Sequence, residues 1–327
     1  MTTEQPPPGH EPAAAAPPAP RPHRERGRDW VRIAVIWVVL SVAADVLWIK
    51  LVGPHVPPGR MTDTAIGAAF DFNVLIVLAL PVLLGVWVYM LYAVVTWRAS
   101  KGGPDPVAVK GARGHGAIES TWILATTVIV LFLAGFGTYE LVQPGGSGGG
   151  QGPTPLWTPA SKDVLQIQVI GQQWKWTYRY PSFGGFETDQ LMVPVNTAVA
   201  FHVTSLDVIH SFWAYQLGVK ADANPSTDNV AFTTPVQEGY FIVRCNELCG
   251  LWHGAMYNEG QVVSKTAFET WATQTEAMLA QNTKYLPPFA YSYVPDANGA
   301  DGGYYPDTKD PYSPVETYGA PAPAGGG

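Results

Sequence analysis

Cysteine is nearly absent. The 327 residues hold two, Cys245 and Cys249, both inside the stretch CNELCGLWHGAM at 245–256. Two cysteines cannot build the multi-bridge framework of a small secreted scaffold, nor a four-cysteine zinc site. No C-x2-C-H stretch occurs, so the chain has no attachment motif for a c-type haem. Charge is scarce as well. Only 14% of residues are charged while 47% are hydrophobic, and the apolar residues gather in runs, so the chain is not one soluble body.

Three such runs lie in the first 142 residues: Ile33 to Ile49, Val74 to Trp97 and Trp122 to Val142. A bilayer-spanning helix needs about 20 mostly apolar residues. The second and third runs qualify, and they predict membrane helices over 70–98 and 117–142. The first is shorter, contains Asp45 and is followed by Lys50. Residues 30–52 therefore read either as an extra N-terminal membrane helix or as a signal sequence, with Val42-Ala43-Ala44 as a loose cleavage site. Lysine and arginine accumulate on the cytoplasmic side of a membrane. Arg21, Arg24, Arg26, Arg28 and Arg32 precede the first run, and Arg98, Lys101, Lys110 and Arg113 fill the loop before the third. Whichever fate the first run has, this charge pattern puts everything after Val142 outside, in a multi-pass protein of a bacterial-type plasma membrane. That outer part is acidic, with 16 Asp and Glu against 8 Lys and Arg from residue 143 onward. Such a balance suits solubility and can steer a basic partner. No nucleic-acid partner is expected.

Residues 1–29, rich in Pro, Ala and Arg, predict a disordered cytoplasmic tail. Residues 143–160, QPGGSGGGQGPTPLWTPA, predict a flexible linker. Within 161–281, short strand signals recur between turn residues: 164–170, 174–180, 198–204, 229–234, 240–245 and 260–265. With no long helix between them, they argue a β-sandwich or barrel, closed by a helix over 266–281. Residues 282–327 alternate Pro, Tyr, Gly and Asp and read as an extended C-terminal tail.

The chemistry lies in the cysteine stretch. Cys249, His253 and Met256 are spaced C-x3-H-x2-M, and a second histidine, His210, stands upstream in DVIHSFW. Thiolate, imidazole and thioether together are soft donors that suit copper better than magnesium or calcium. An upstream histidine followed by Cys, His and Met in one loop is the pattern of a mononuclear blue-copper site on a Greek-key sandwich. Cys245 adds a second thiolate four residues before Cys249, so both sulfurs can serve one centre and bridge two copper ions. A disulfide between them is the competing reading.

Here the sequence resembles a known family. CNELCGLWHGAM resembles the CuA loop of cytochrome c oxidase subunit II in its C-x-E-x-C-x3-H-x2-M spacing. DVIHSFWAYQLGVKADANP (207–225) is similar to the family segment that carries the first histidine, and GQQWKWTYRY (171–180) to its aromatic strand. The two long apolar runs match its helical hairpin, so the resemblance covers roughly 70–275. It implies a membrane α-helical hairpin, with a further N-terminal helix here, followed by an all-β cupredoxin-like Greek-key domain. It also implies the electron-accepting subunit of a respiratory terminal oxidase. Electrons would pass from cytochrome c, or a tethered haem c domain, through dinuclear copper to haem in subunit I, where oxygen is reduced with proton translocation.

Carried over residue by residue, the implied copper ligands are His210, Cys245, Cys249, His253 and Met256, with Glu247 ligating through its main-chain oxygen. The Glu247 side chain would reach a magnesium ion shared with subunit I. Trp174 matches the residue through which electrons arrive, and Glu119 the carboxylate at the mouth of a proton path. Simpler readings stand beside these. Glu247 can be a plain loop carboxylate, Glu119 an interfacial charge at a helix start, and Trp174 a core residue, with Trp176 and Tyr178 competing for its role. His202 and His115 match nothing in the family and read as a strand residue and a loop residue. Three departures from the family pattern occur: Pro-Ser-Thr at 225–227 for Pro-Gly-Arg, no Thr-Pro after Trp122, and Arg244 for glutamine before the first ligand cysteine. Lys175 and Arg179 put positive charge beside Trp174, which favours a tethered haem c donor over a strongly basic soluble one. Two alternatives retain the copper site: the CuA subunit of a haem-copper nitric oxide reductase, and a stand-alone membrane-anchored cupredoxin or copper-delivery protein. A nitrous oxide reductase would need a large histidine-rich domain, which seven histidines in the chain do not supply.

Overall fold

The computed structural model describes residues 23–56, 59–97, 114–146, 148–225 and 227–283. The tails expected at 1–29 and 282–327 therefore fall largely outside the described residues, as do Arg21, Arg98, Lys101, Lys110, Arg113 and Ser226. The chain divides into two compact units, Met1–Val46 with Leu78–Leu124, and Leu47–Val77 with Ala125–Gly327.

Among the described residues, three helices are long and apolar enough to cross a membrane: Gly27–His55, Asp63–Thr96 and Gly116–Val142, of 29, 34 and 27 residues. The first overlaps α1 (His23–Leu47), which starts four residues before the span and runs on through a π turn, Trp48–Val52, and a 3-10 turn, Gly53–His55. It starts ahead of residue 30, so 23–29, expected in the tail, are helical. Helix α2 (Asp63–Thr96) also starts ahead of the expected residue 70. The cause is a cap: the Thr62 hydroxyl accepts the Ala65 N–H at 3.0 Å, and Asp63 supplies a negative charge to the first turn. The same corner is stitched to the outer domain. Thr62 donates to the Leu217 carbonyl at 2.7 Å, and the Asp63 carboxylate accepts the Thr234 N–H at 2.8 Å. Helix α3 (Gly116–Val142) buries no residue.

The outer domain is a sandwich of two sheets. One holds β1 (Gln151–Gly152), β2 (Val164–Gln172), β3 (Lys175–Tyr180), β4 (Phe186–Thr188), β6 (Ala198–Ser205) and β9 (Asn229–Thr233), in the order β1-β9-β6-β2-β3-β4. The other holds β5 (Leu191–Pro194), β7 (His210–Ala214), β8 (Val219–Ala223), β10 (Gly239–Cys245) and β11 (Tyr257–Val263), in the order β5-β11-β10-β7-β8. Successive strand residues point to opposite faces. In β10 this sends Phe241, Val243 and Cys245 inward and Arg244 outward. Between the sheets pack Phe201, Phe212, Tyr178, Tyr180, Phe186 and Phe241, all fully buried. Each such side chain contributes about 1.5–3 kcal/mol of burial. Helix α4 (Lys265–Thr283) closes one end, with Phe268 and Trp271 against Tyr180.

The segment 143–160, expected as a flexible linker, is in part built into the domain. Its residues 151–152 pair with β9, and Trp157 is buried against Ala200, Val230 and Phe232. Strand β6 is buried along its whole length, on both faces, so its outer face needs a cover. Trp157 provides part of one. His202 sits on β6 as the strand residue expected, fixed between Asp228 at 2.7 Å and Gln166 at 2.7 Å.

Candidate metal centre

Sheet order explains how a histidine at 210 meets cysteines at 245 and 249. Strand β7 lies beside β10, and β10 beside β11, with Cys245 opposite Phe212 in register. His210 begins β7, Cys245 ends β10, and the loop 246–256 returns to β11 carrying Cys249, His253 and Met256. Backbone bonds hold that loop: Cys245 N–H to the Met256 carbonyl at 3.0 Å, Asn246 N–H to Ser211 at 2.9 Å, and His253 N–H to Gly250 at 3.2 Å.

Six donor atoms converge as a result. The two cysteines are free, and their sulfurs stand 3.7 Å apart. That is far from the about 2.05 Å of a disulfide, yet short enough for both sulfurs to touch one ion at thiolate–metal distances of about 2.3 Å. Cys245 Sγ lies 3.8 Å from His210 Nδ1 and 3.3 Å from the Glu247 carbonyl oxygen. Cys249 Sγ lies 3.6 Å from His253 Nδ1 and 3.8 Å from Met256 Sδ. His210, Cys245 and Cys249 alone place their ligand atoms within 4.8 Å of one another, in a wholly buried cluster. Met256 is buried too, and His253 is half-buried. The donor set is soft and fits copper.

The pair of thiols is electrostatically unequal. Burial opposes charge on Cys245, but bonding to His210 and to the backbone of Glu247 and Ser211 outweighs it and brings its thiol down to about 6. Burial, and then the neighbouring Cys245, pushes Cys249 up to about 12. One negative charge is thus tolerated without a cation and a second is not, which is the condition a bound metal relieves.

A supporting layer went unnoticed in the sequence. Asp207 holds His210 Nε2 at 2.8 Å, which turns Nδ1 toward Cys245. Asp207 is itself fixed by the Gln173 and Val208 N–H groups, both at 2.7 Å. Burial works against its charge, but these donors and the His210 ring hold its carboxyl below the ordinary range. Burial likewise opposes charge on His210, but bonding to Cys245 and then to Asp207 outweighs it and raises the imidazole. Such a carboxylate–histidine pair fixes the ring's tautomer and aim. Two glycines are also demanded. A Cβ on Gly171 would meet the His210 ring at 3.0 Å, and Gly250 has φ +115 with Trp174 and Gln173 packed against it. The Asp-x-x-His spacing at 207–210 was the available signal.

Trp174 adjoins the centre. Its indole N–H donates to the Cys249 carbonyl at 3.1 Å, beside a 2.7 Å bond from Gln173 to the same oxygen. Its two competitors are enclosed: Trp176 lies edge-on to His210 and Tyr178 is fully buried, whereas Trp174 is half-exposed. Lys175 is exposed, but Arg179 is not the surface charge expected. It is buried at 6% and paired with Glu187 at 2.7 Å, because its position on β3 faces the β4 edge. Arg244 lies over the Tyr257 ring at 5.7 Å. Glu119 is not part of this cluster. It sits in the first turn of α3, where its carboxylate accepts the His115 N–H at 2.9 Å. The Glu247 side chain is exposed, as are Leu248, Leu251 and Trp252 in the same loop.

Comparisons with known proteins bear on this arrangement. Residues 185–263 match the model for the family described as cytochrome c oxidase subunit II, periplasmic domain. A cytochrome c oxidase subunit 2 of Lachancea thermotolerans is 30% identical over 221 residues, which cover 60% of this chain and 81% of the relative. The chain belongs to the cytochrome c oxidase subunit II family. A Rickettsia prowazekii relative named "Probable cytochrome c oxidase subunit 2" is 38% identical over 128 residues, 33% of this chain and 41% of the relative. The chain thus spans only about two fifths to half of the Rickettsia relatives it matches. Among solved structures, the periplasmic domain of subunit II of cytochrome oxidase of Bradyrhizobium japonicum is 33% identical. That match covers 35% of this chain and 94% of that one, with a TM-score of 0.34.

Proposed function

We propose that the chain is the electron-accepting subunit of a haem-copper terminal oxidase, with a dinuclear copper centre held by His210, Cys245, Cys249, His253, Met256 and the Glu247 carbonyl. The convergence of two sulfurs 3.7 Å apart, each with its own imidazole, carries this reading. Held there by His210, Cys245, Cys249, His253, Met256 and the Glu247 carbonyl, copper would supply one-electron uptake and release. The chain's own part is to aim and shield. Asp207 fixes His210, the buried Met256 and Trp176 exclude water, and Trp174 links the surface to the Cys249 carbonyl. Cytochrome c, or a tethered haem c domain, would deliver electrons at Trp174, and haem in subunit I would take them from the other side of the loop. Of the two cations Lys175 and Arg179, Arg179 is buried and paired with Glu187, which leaves Lys175 exposed beside Trp174. The exposed Glu247 carboxylate, in the same loop as the exposed Leu248, Leu251 and Trp252, suits a magnesium ion and an apolar contact on subunit I. Glu119 at the start of α3 would serve as the mouth of a proton path. Further oxidase subunits complete the assembly, with the copper domain on the outer membrane face.

The test is purification of the whole chain from its native membrane, followed by rapid mixing with reduced cytochrome c. Co-isolation of a haem-bearing multi-span subunit, with copper reduced before haem, supports the reading. Isolation without haem would favour a stand-alone cupredoxin, and nitric oxide turnover in place of oxygen turnover would favour a nitric oxide reductase. A steep loss of the reduction rate with salt would point to a basic soluble cytochrome c as donor.

A further inference from the structure

Helix α1 is fastened to α2 at both ends and in the middle. Near its N-terminus, Asp29 accepts hydrogen bonds from the Tyr92 hydroxyl at 2.7 Å and the Trp97 indole at 3.2 Å. Trp30 stacks on Tyr89 there, with ring centroids 6.0 Å apart and planes 16° from parallel. Midway, the Trp37 indole N–H donates to the Pro81 carbonyl at 2.7 Å, and its ring covers Gly85, where a Cβ would come within 3.3 Å of the indole nitrogen. At the far end, the Trp48 indole donates to Asn73 Oδ1 at 2.8 Å, and Asn73 is aimed by its own bond to the Ala69 carbonyl at 2.6 Å.

These contacts share one helical face with Ile33 and Ser41, which are buried at 8% and 6% while most of the helix is exposed. At about 1.5 Å per residue, Asp29 and Trp48 stand about 28 Å apart along the helix. The hydrocarbon layer of a bilayer is about 30 Å thick, and Trp and Tyr concentrate at its two boundaries. The two fastenings are spaced as that layer requires. A secretory leader needs only an apolar stretch of about 7–15 residues and a small-residue cleavage site. It has no use for polar contacts to a later helix. Cutting after Ala44 would remove Asp29, Trp30 and Trp37 and leave their partners on α2 uncovered.

We infer that Gly27–Val52 is a permanent membrane helix and not a removable leader. The α2 face running through Asn73, Pro81, Gly85 and Tyr92 is an interaction surface occupied by the chain's own α1 and not by a partner subunit. This holds whether or not the copper reading does. The test uses the full chain with a C-terminal tag, purified from membranes. Intact mass and N-terminal sequencing should place the mature N-terminus upstream of Asp29, and a mature chain beginning at or near Asp45 would overturn the inference. A photoreactive residue in place of Trp30 should cross-link within the same chain to the peptide around Tyr89. Cross-linking to another subunit instead, or none above background, would equally overturn it.

Discussion

The loop 246–256 has two sides, and they are specified in different ways. Its inner side, Cys249 and Met256 together with the preceding Cys245, is buried, hydrogen-bonded to β7 and β11, and backed by Asp207 and Trp174. Its outer side, Glu247, Leu248, Leu251 and Trp252, faces solvent, with Leu251 83% exposed. The inner side is a site the chain completes for itself. The outer side presents apolar and acidic groups for which the domain offers no cover, as a surface made for a second protein does. Folding therefore fixes the donor set, and the association proposed above would use what folding leaves outside.

That division can be broken at graded cost. Cys245→Ser should have the largest effect: it removes one of the two sulfurs of the proposed centre, and electron uptake should fall by more than the about 10–100-fold seen when only a supporting group is lost. Retained two-copper stoichiometry with normal oxygen consumption would contradict it. Asp207→Ala comes next, with copper affinity reduced about 10–100-fold in a chelator competition while the fold stays intact by circular dichroism. Trp174→Phe should leave copper content unchanged and slow electron uptake about tenfold, about 1.4 kcal/mol in barrier height. An unchanged rate in rapid mixing would remove Trp174 from the path. Leu251→Ser should have the smallest effect on the domain itself, with stability within about 0.5 kcal/mol of the parent by denaturant unfolding. Its effect should appear only as weaker association with the oxidase partner.

The inner side was legible in the sequence because ligand chemistry fixes both residue type and spacing: C-x3-C-x3-H-x2-M has few other uses. Strands β2, β3, β6, β9, β10 and β11 were legible through their β-branched and aromatic content, whereas β4, β5, β7 and β8 are shorter or more polar and carry weaker signals. The supporting layer was not legible. Asp207 holds His210 and is itself held by the Gln173 N–H, and that second contact exists only once β2, β3 and the 206–209 turn meet. Arg179 likewise reads as surface charge until Glu187 on β4 lies beside it. The segment 143–160 reads as a linker because its glycines permit many backbone conformations when nothing packs on them, yet Gly149 and Gly150 lie close against the buried Trp157, where a Cβ would meet the indole. Composition describes what a segment can do alone, not what it covers.

The central claim is that two cysteine sulfurs join two copper ions into one electron carrier. Electron paramagnetic resonance of the copper-loaded whole chain, in its one-electron-oxidised form, tests it most directly. The account predicts the hyperfine pattern of one unpaired electron shared equally by two copper nuclei, reverting to that of a single nucleus in Cys245→Ser. A single-nucleus pattern in the unsubstituted chain, at one copper per chain, would contradict it.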